Sequence, residues 1–147
     1  MKVLKRSAWA LEQVETFLRD SRLPLRVACH GANGFPLINS LWFRYDEGAL
    51  WCAVHQTSVL AVRLSEDPRC AFELAPNEPP YYGVRGQAQA TVLQDRGGAE
   101  LSALIDRYLG DRDKSLANWL LSRSSEEVAI RLTPTWISAW DFRHRMS

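Results

Sequence analysis

The sequence predicts a mainly β protein, a small Greek-key barrel with flanking helices. Three observations lead there. Short runs of β-branched, aromatic and aliphatic residues recur between Gly, Asn, Asp and Pro turns. One run, Gly83 to Leu93, alternates small or apolar with polar residues. Helical periodicity is confined to a few segments between the runs, so most connections are short and the strands antiparallel.

Ser7 is read as the N-cap of a first helix reaching about Asp20. Leu11, Val14, Phe17 and Leu18 share its apolar stripe. Leu23 to Cys29 follows as a strand, and Gly31-Ala32-Asn33-Gly34 turns the chain. Leu37 to Tyr45 and Ala49 to His55 read as two strands joined by Asp46-Glu47-Gly48, where Gly48 is free to take positive φ. Both runs are apolar on both faces, so something beyond the core is expected to cover the second face.

After His55 the period changes. Leu60 and Leu64 lie four apart and Val59 and Val62 three apart, a short helix capped by Thr57 or Ser58. Asp67-Pro68 ends it, because a residue before proline is pushed out of the helical region. Cys70, Phe72 and Leu74 alternate with Arg69, Ala71 and Glu73 as a half-buried strand. A proline-rich loop, Ala75 to Pro80, leads to the Gly83–Leu93 strand, with Val84, Ala88, Ala90 and Val92 inward. Gly86 interrupts that strand and marks a bulge or a close approach. Beyond Gly97-Gly98, Leu101, Leu104, Ile105, Tyr108 and Leu109 form a helical stripe stopped at Gly110. Leu116 to Leu121 is a second short helix. Val128 to Thr133 and Thr135 to Phe142 are read as two strands meeting at a corner at Pro134.

Length 147 with ordinary composition fits a single domain over residues 1–147. A net charge of +1 and no run of Lys and Arg argue against nucleic-acid binding. The basic start Met1 to Arg6 is followed by no apolar h-region, and no stretch reaches the roughly 20 apolar residues of a membrane span. Three scattered cysteines, Cys29, Cys52 and Cys70, fit a reduced, cytoplasmic setting. Cys52 and His55 have metal-pair spacing, yet odd spacing on a strand sends them to opposite faces, so no metal site is expected. No nucleophile–base motif, Walker loop or GxGxxG occurs.

Three stretches taken together carry a resemblance. They are Pro36-x-Ile38-Asn39-Ser40-Leu41-Trp42-Phe43 leading to Tyr45-Asp46-x-Gly48, Ser58 ahead of Leu64-x-x-Asp67-Pro68-Arg69, and Gly83-Val84-Arg85-Gly86-x-Ala88. In this order the chain resembles the FMN-binding split β-barrel proteins related to pyridoxamine 5'-phosphate oxidase, over nearly its whole length. The resemblance implies a homodimer with one FMN in each of two interface grooves, and a flavin-dependent oxidoreductase acting on a small molecule. By position, Ile38, Asn39, Ser40 and Leu41 would run beside the isoalloxazine, and Ala53 and Val54 would line it. His55 would sit at the groove's end, and Thr57 and Ser58 would meet the phosphate.

Two departures qualify what the resemblance implies. Val59 and Leu60 stand where the family has a basic pair after the serine. Backbone N–H groups at the helix start, or Arg63 or Arg85, would have to serve the phosphate instead. FMN is therefore expected to bind weakly, and a lysine at position 60 to tighten it. The family's oxidases also carry a longer basic C-terminal segment, whereas this chain ends Arg143-His144-Arg145-Met146-Ser147, so vitamin B6 oxidation is not expected. The alternatives within the fold are a flavin- or haem-binding module without turnover and a deazaflavin-dependent reductase. The sparse positive charge around Ser58 counts against the last.

Overall fold

The computed structural model describes residues 1–147. Its centre is a seven-stranded antiparallel sheet: β1 (Leu25–His30), β2 (Pro36–Leu41), β3 (Arg44–Asp46), β4 (Ala49–His55), β5 (Arg69–Leu74), β6 (Tyr82–Leu93) and β7 (Glu127–Asp141). Across the sheet the order is β2-β1-β5-β6-β7-β4-β3. The two edge strands, β2 and β3, are joined by only Trp42 and Phe43. Two residues span at most about 10 Å between flanking strands, so the sheet must curl until its edges nearly meet.

The predicted strand Leu37 to Tyr45 is thus two strands with opposite allegiances. Leu41 stands opposite Leu25 in β1, whereas Arg44 stands opposite Trp51 in β4. The hairpin between β3 and β4 is as expected, with Glu47 at φ 52 and Gly48 at φ 73 in a two-residue turn.

The interior of the curl is filled by Leu25, Val27, Leu50, Cys52, Phe72, Leu74, Ile130, Leu132 and Ile137 among others. Gly86 lies in this layer for a steric reason. A Cβ there would stand 2.3 Å from the Trp136 carbonyl oxygen and 2.7 Å from Phe72 Cζ. The close approach is at Gly86, and the bulge lies one residue on, in the partner strand. Gln87 faces Trp136 and Ala88 faces Pro134, leaving Thr135 as the extra residue. The corner expected at Pro134 is absent: β7 runs through it as one strand, because the bulge lets a residue with no N–H sit in the ladder without breaking it.

Helices close the ends and one outer face. α1 (Leu11–Asp20) buries Val14 and Leu18. Its N-cap is Ala10 rather than Ser7; the Ser7 hydroxyl accepts from the Ala139 N–H at 2.9 Å and donates to the Trp9 carbonyl at 2.8 Å, tying the N-terminal segment to β7. α2 (Val59–Glu66) buries Leu60, Ala61 and Leu64. α3 (Gly97–Tyr108) lies across β4 and β7, followed by α4 (Lys114–Leu121), whose N-cap Asp113 accepts from Leu116 N–H at 2.9 Å. A 3-10 turn, Ser124–Glu126, leads into β7, and α5 (Arg143–Met146) ends the chain. No helix is long and apolar enough to cross a membrane. All three cysteines are buried and unpaired.

Candidate functional site in the split of the barrel

The site follows from an inequality of strand lengths. β3 pairs only with Ala49 to Trp51, while β4 continues along β7 from Cys52 to His55. That second half of β4 has one edge without a strand partner, and β2, at the end of the sheet order, has another. Between them opens a cleft of about 450 Å³, which brings together the predicted residues Ser40, Leu41, Ala53, Val54 and His55. Unpaired strand edges leave N–H and C=O groups for whatever enters.

Residues the sequence did not flag complete this cleft: Trp42, Leu101 and Leu104 of α3, Leu116 and Leu120 of α4, and Glu127. The α3 stripe was legible only as packing, and its leucines do pack, but they also wall the cleft. Trp42 stacks on Tyr108, with ring centroids 5.1 Å apart and planes 6° from parallel. The Tyr108 hydroxyl donates to the Leu23 carbonyl at 2.9 Å and accepts from the Phe43 N–H at 3.3 Å, which fixes the β2–β3 link against α3.

One end of the cleft is polar. His55 stands directly opposite Glu127 in the β4–β7 ladder. The Thr57 N–H donates to His55 Nδ1 at 3.1 Å, and the Thr57 hydroxyl lies 2.8 Å from the same atom. That makes Nδ1 the acceptor and turns Nε2 toward Glu126 Oε2, 3.5 Å away. Glu127 has no side-chain hydrogen bond or ion pair, and burial pushes its carboxyl up, offset in part by His55 and Arg123.

The start of α2 is next. The Ser58 hydroxyl accepts from the Ala61 N–H at 3.2 Å, an ordinary helix cap. Val59 is 61% exposed, but Leu60 is 3% exposed in the core. Leu60 therefore does not face a ligand, and a lysine in its place would be buried rather than offered to a phosphate. Arg63 is also committed: its Nε donates to the His30 carbonyl at 2.8 Å and its Nη1 meets Glu66 at 2.6 Å.

Ile38 and Arg85 belong to a different surface. Reading across five strands, Ile38, Ala28, Ala71, Gln87 and Trp136 stand side by side. They line a groove of about 500 Å³ on the outer sheet face that no helix covers. Arg85 borders it and lies over the Trp140 ring at 5.1 Å. It is three strands from β2, about 14 Å at ordinary strand spacing. Asn39 lines neither, its amide donating to the Val27 carbonyl at 3.3 Å.

No family profile and no curated protein matches the sequence. Solved structures do match the fold. The conserved hypothetical protein Rv2991 of Mycobacterium tuberculosis superposes with a TM-score of 0.77 at 22% identity, over 97% of this chain and 91% of that one. An F420 reductase gives 0.73 at 22% identity, over 88% and 98%. HutZ, the haem storage protein of Vibrio cholerae, gives 0.67 at 16% identity, over 90% and 95%. These structures share this chain's fold, a split barrel made of one curled seven-stranded antiparallel sheet with flanking helices.

Proposed function

We propose that this chain is a flavin-binding protein, a homodimer of the split-barrel type, acting as a flavin-dependent oxidoreductase on a small molecule. The observation that carries the reading is the cleft between the unpaired edges of β2 and β4. It is apolar along Leu41, Trp42, Ala53, Val54, Leu101 and Leu104, and it is bordered by free backbone groups. A planar heteroaromatic ring needs that combination, apolar faces for the ring plane and backbone donors and acceptors for its edge. A flavin there would supply one- or two-electron transfer through its N5. The chain would hold the ring, orient it and exclude water. Ser40 and His55 share the cleft without a hydrogen bond between them, so no serine nucleophile is activated.

The dimer is supported by the bare groove on the outer face. Ile38 is 76% and Phe35 72% exposed, beside small outward residues Ala28 and Ala71. Exposed apolar side chains gathered on one face and rimmed by polar ones, here Arg26, Glu73, Arg85 and Gln87, mark an interaction surface.

Flavin titration into the purified protein, with fluorescence quenching and sedimentation read together, tests both parts. Quenching with saturation at micromolar flavin in a dimeric species is the expected result. A monomer that leaves flavin fluorescence unchanged would overturn the reading. A Soret band that grows with added hemin, in place of quenching, would move the assignment to haem.

A further inference from the structure

We infer that this cleft recognises its cofactor through the ring and not through the phosphate, so that riboflavin binds as tightly as FMN. The inference rests on the flavin reading above and concerns the end of the ligand that leaves the cleft toward α2.

The charges available there have the wrong sign for a phosphate. The chain reaches α2 through Gln56, whose N–H donates to the Glu126 carbonyl at 2.9 Å, so the helix start lies beside Glu126 and Glu127. Glu126 meets His55 at 3.5 Å and Arg123 at 3.8 Å, and Glu127 makes no ion pair, the more distant His55 and Arg123 offsetting its burial only in part. Arg123 is occupied by that acid and by the Trp119 ring at 5.2 Å.

The cations that could compensate are held elsewhere. Arg63 is tied to the His30 carbonyl and Glu66, and Arg85 stands on the far sheet face over Trp140. Position 60, filled by Leu60, is in the core. What remains for an anion is the pair of N–H groups of Val59 and Leu60, since Ser58 already takes that of Ala61. Two backbone donors, with two carboxylates on the adjoining segment and no uncommitted cation, give a phosphate dianion little net attraction.

The test compares dissociation constants for riboflavin and FMN by quenching of flavin fluorescence, in the wild-type chain and in Val59→Arg. Val59 is exposed in the first turn of α2, so the substitution leaves the core untouched. The wild type is expected to bind the two flavins within about threefold of each other. Val59→Arg is expected to tighten FMN about ten- to a hundredfold, the usual gain from a charge-assisted contact, and to leave riboflavin unchanged. A wild-type preference for FMN of tenfold or more would overturn the inference and leave the flavin reading standing. An FMN affinity unmoved by Val59→Arg would also overturn it, because the phosphate would then lie away from α2. Failure of both flavins to bind would overturn the inference together with the reading beneath it.

Discussion

An ion pair with a buried acid ties α3, which walls the cleft, to β3, and its removal has an asymmetric cost that can be worked from the geometry. Arg44 of β3 grips Glu100 of α3 with both arms, Nε to Oε2 at 2.5 Å and Nη2 to Oε1 at 2.8 Å. The Glu100 side chain is 3% exposed, whereas Arg44 is 25% exposed, reaches Asp46 at 3.1 Å and covers the Trp51 ring at 5.3 Å. Arg44→Met strands a carboxylate whose only side-chain partner was Arg44, a loss of about 3–5 kcal/mol. Glu100→Leu leaves a cation that keeps Asp46, the ring and some water, a loss of about 1–2 kcal/mol. The double variant replaces both with apolar groups and should lie within about 1 kcal/mol of wild type. For a chain of this size Arg44→Met then lowers Tm by roughly 6–20 °C. Urea unfolding followed by circular dichroism, at one protein concentration for all four proteins, measures the cycle. Because α3 carries Leu101 and Leu104 into the cleft, ligand affinity should fall with Arg44→Met and recover in the double variant. Equal losses in the two single variants, or additive losses in the double, would refute this account.

Gly86→Ala forces a methyl group against a backbone carbonyl and the Phe72 ring, and should cost about 1–3 kcal/mol in urea unfolding; a neutral result would mean that β6 and β7 can separate freely. A second expectation concerns acid. Hydrogen bonds from Arg143, and then from the Trp9 indole at 3.0 Å, hold the Asp141 carboxyl well below the usual carboxylate range. Its folded value lies below its unfolded one, so the stabilisation is complete above about pH 4 and is lost as pH falls through the folded value. The stability gap between wild type and Asp141→Asn should therefore narrow on acidification, and a gap independent of pH would show that Asp141 contributes nothing through its charge.

Elements whose signals are local were legible in the sequence. The alternation of β6, the stripe of α3, the Glu47-Gly48 turn and the end of α2 at Asp67 each depend on neighbours within a few residues. The break of one predicted strand into β2 and β3 was not legible, because Trp42 and Phe43 carry no turn chemistry. They are a break only because Leu41 pairs with Leu25 and Arg44 with Trp51, choices made by distant strands. Pro134 misled in the opposite direction, since a strong local signal for a corner was overridden by the bulge at Thr135. Leu60 is instructive for the site. Its spacing from Leu64 marked the buried stripe of α2 from the start, and the resemblance pulled it toward the phosphate. Helical periodicity was the better guide at that residue. The acids at the cleft had no sequence signal. Glu127 matters because register sets it opposite His55, 72 positions earlier by their numbers.

The split itself has a physical cause in the chain. A barrel closes when its edge strands pair along their lengths, and here β3 is only three residues long. It cannot begin earlier, because Phe43 turns fully into the core and its N–H is taken by the Tyr108 hydroxyl. It cannot extend later, because the turn at Glu47 and Gly48 reverses the chain. β4 is therefore left without a partner beyond Trp51, and β2 arrives at the same gap from the other edge of the sheet. The same residues that bend the sheet nearly shut, Trp42 and Phe43, thus stop it from closing along β4. Lengthening β3 would be expected to complete the barrel and remove the cleft, which is why the site resides in a short strand and not in a set of reactive side chains.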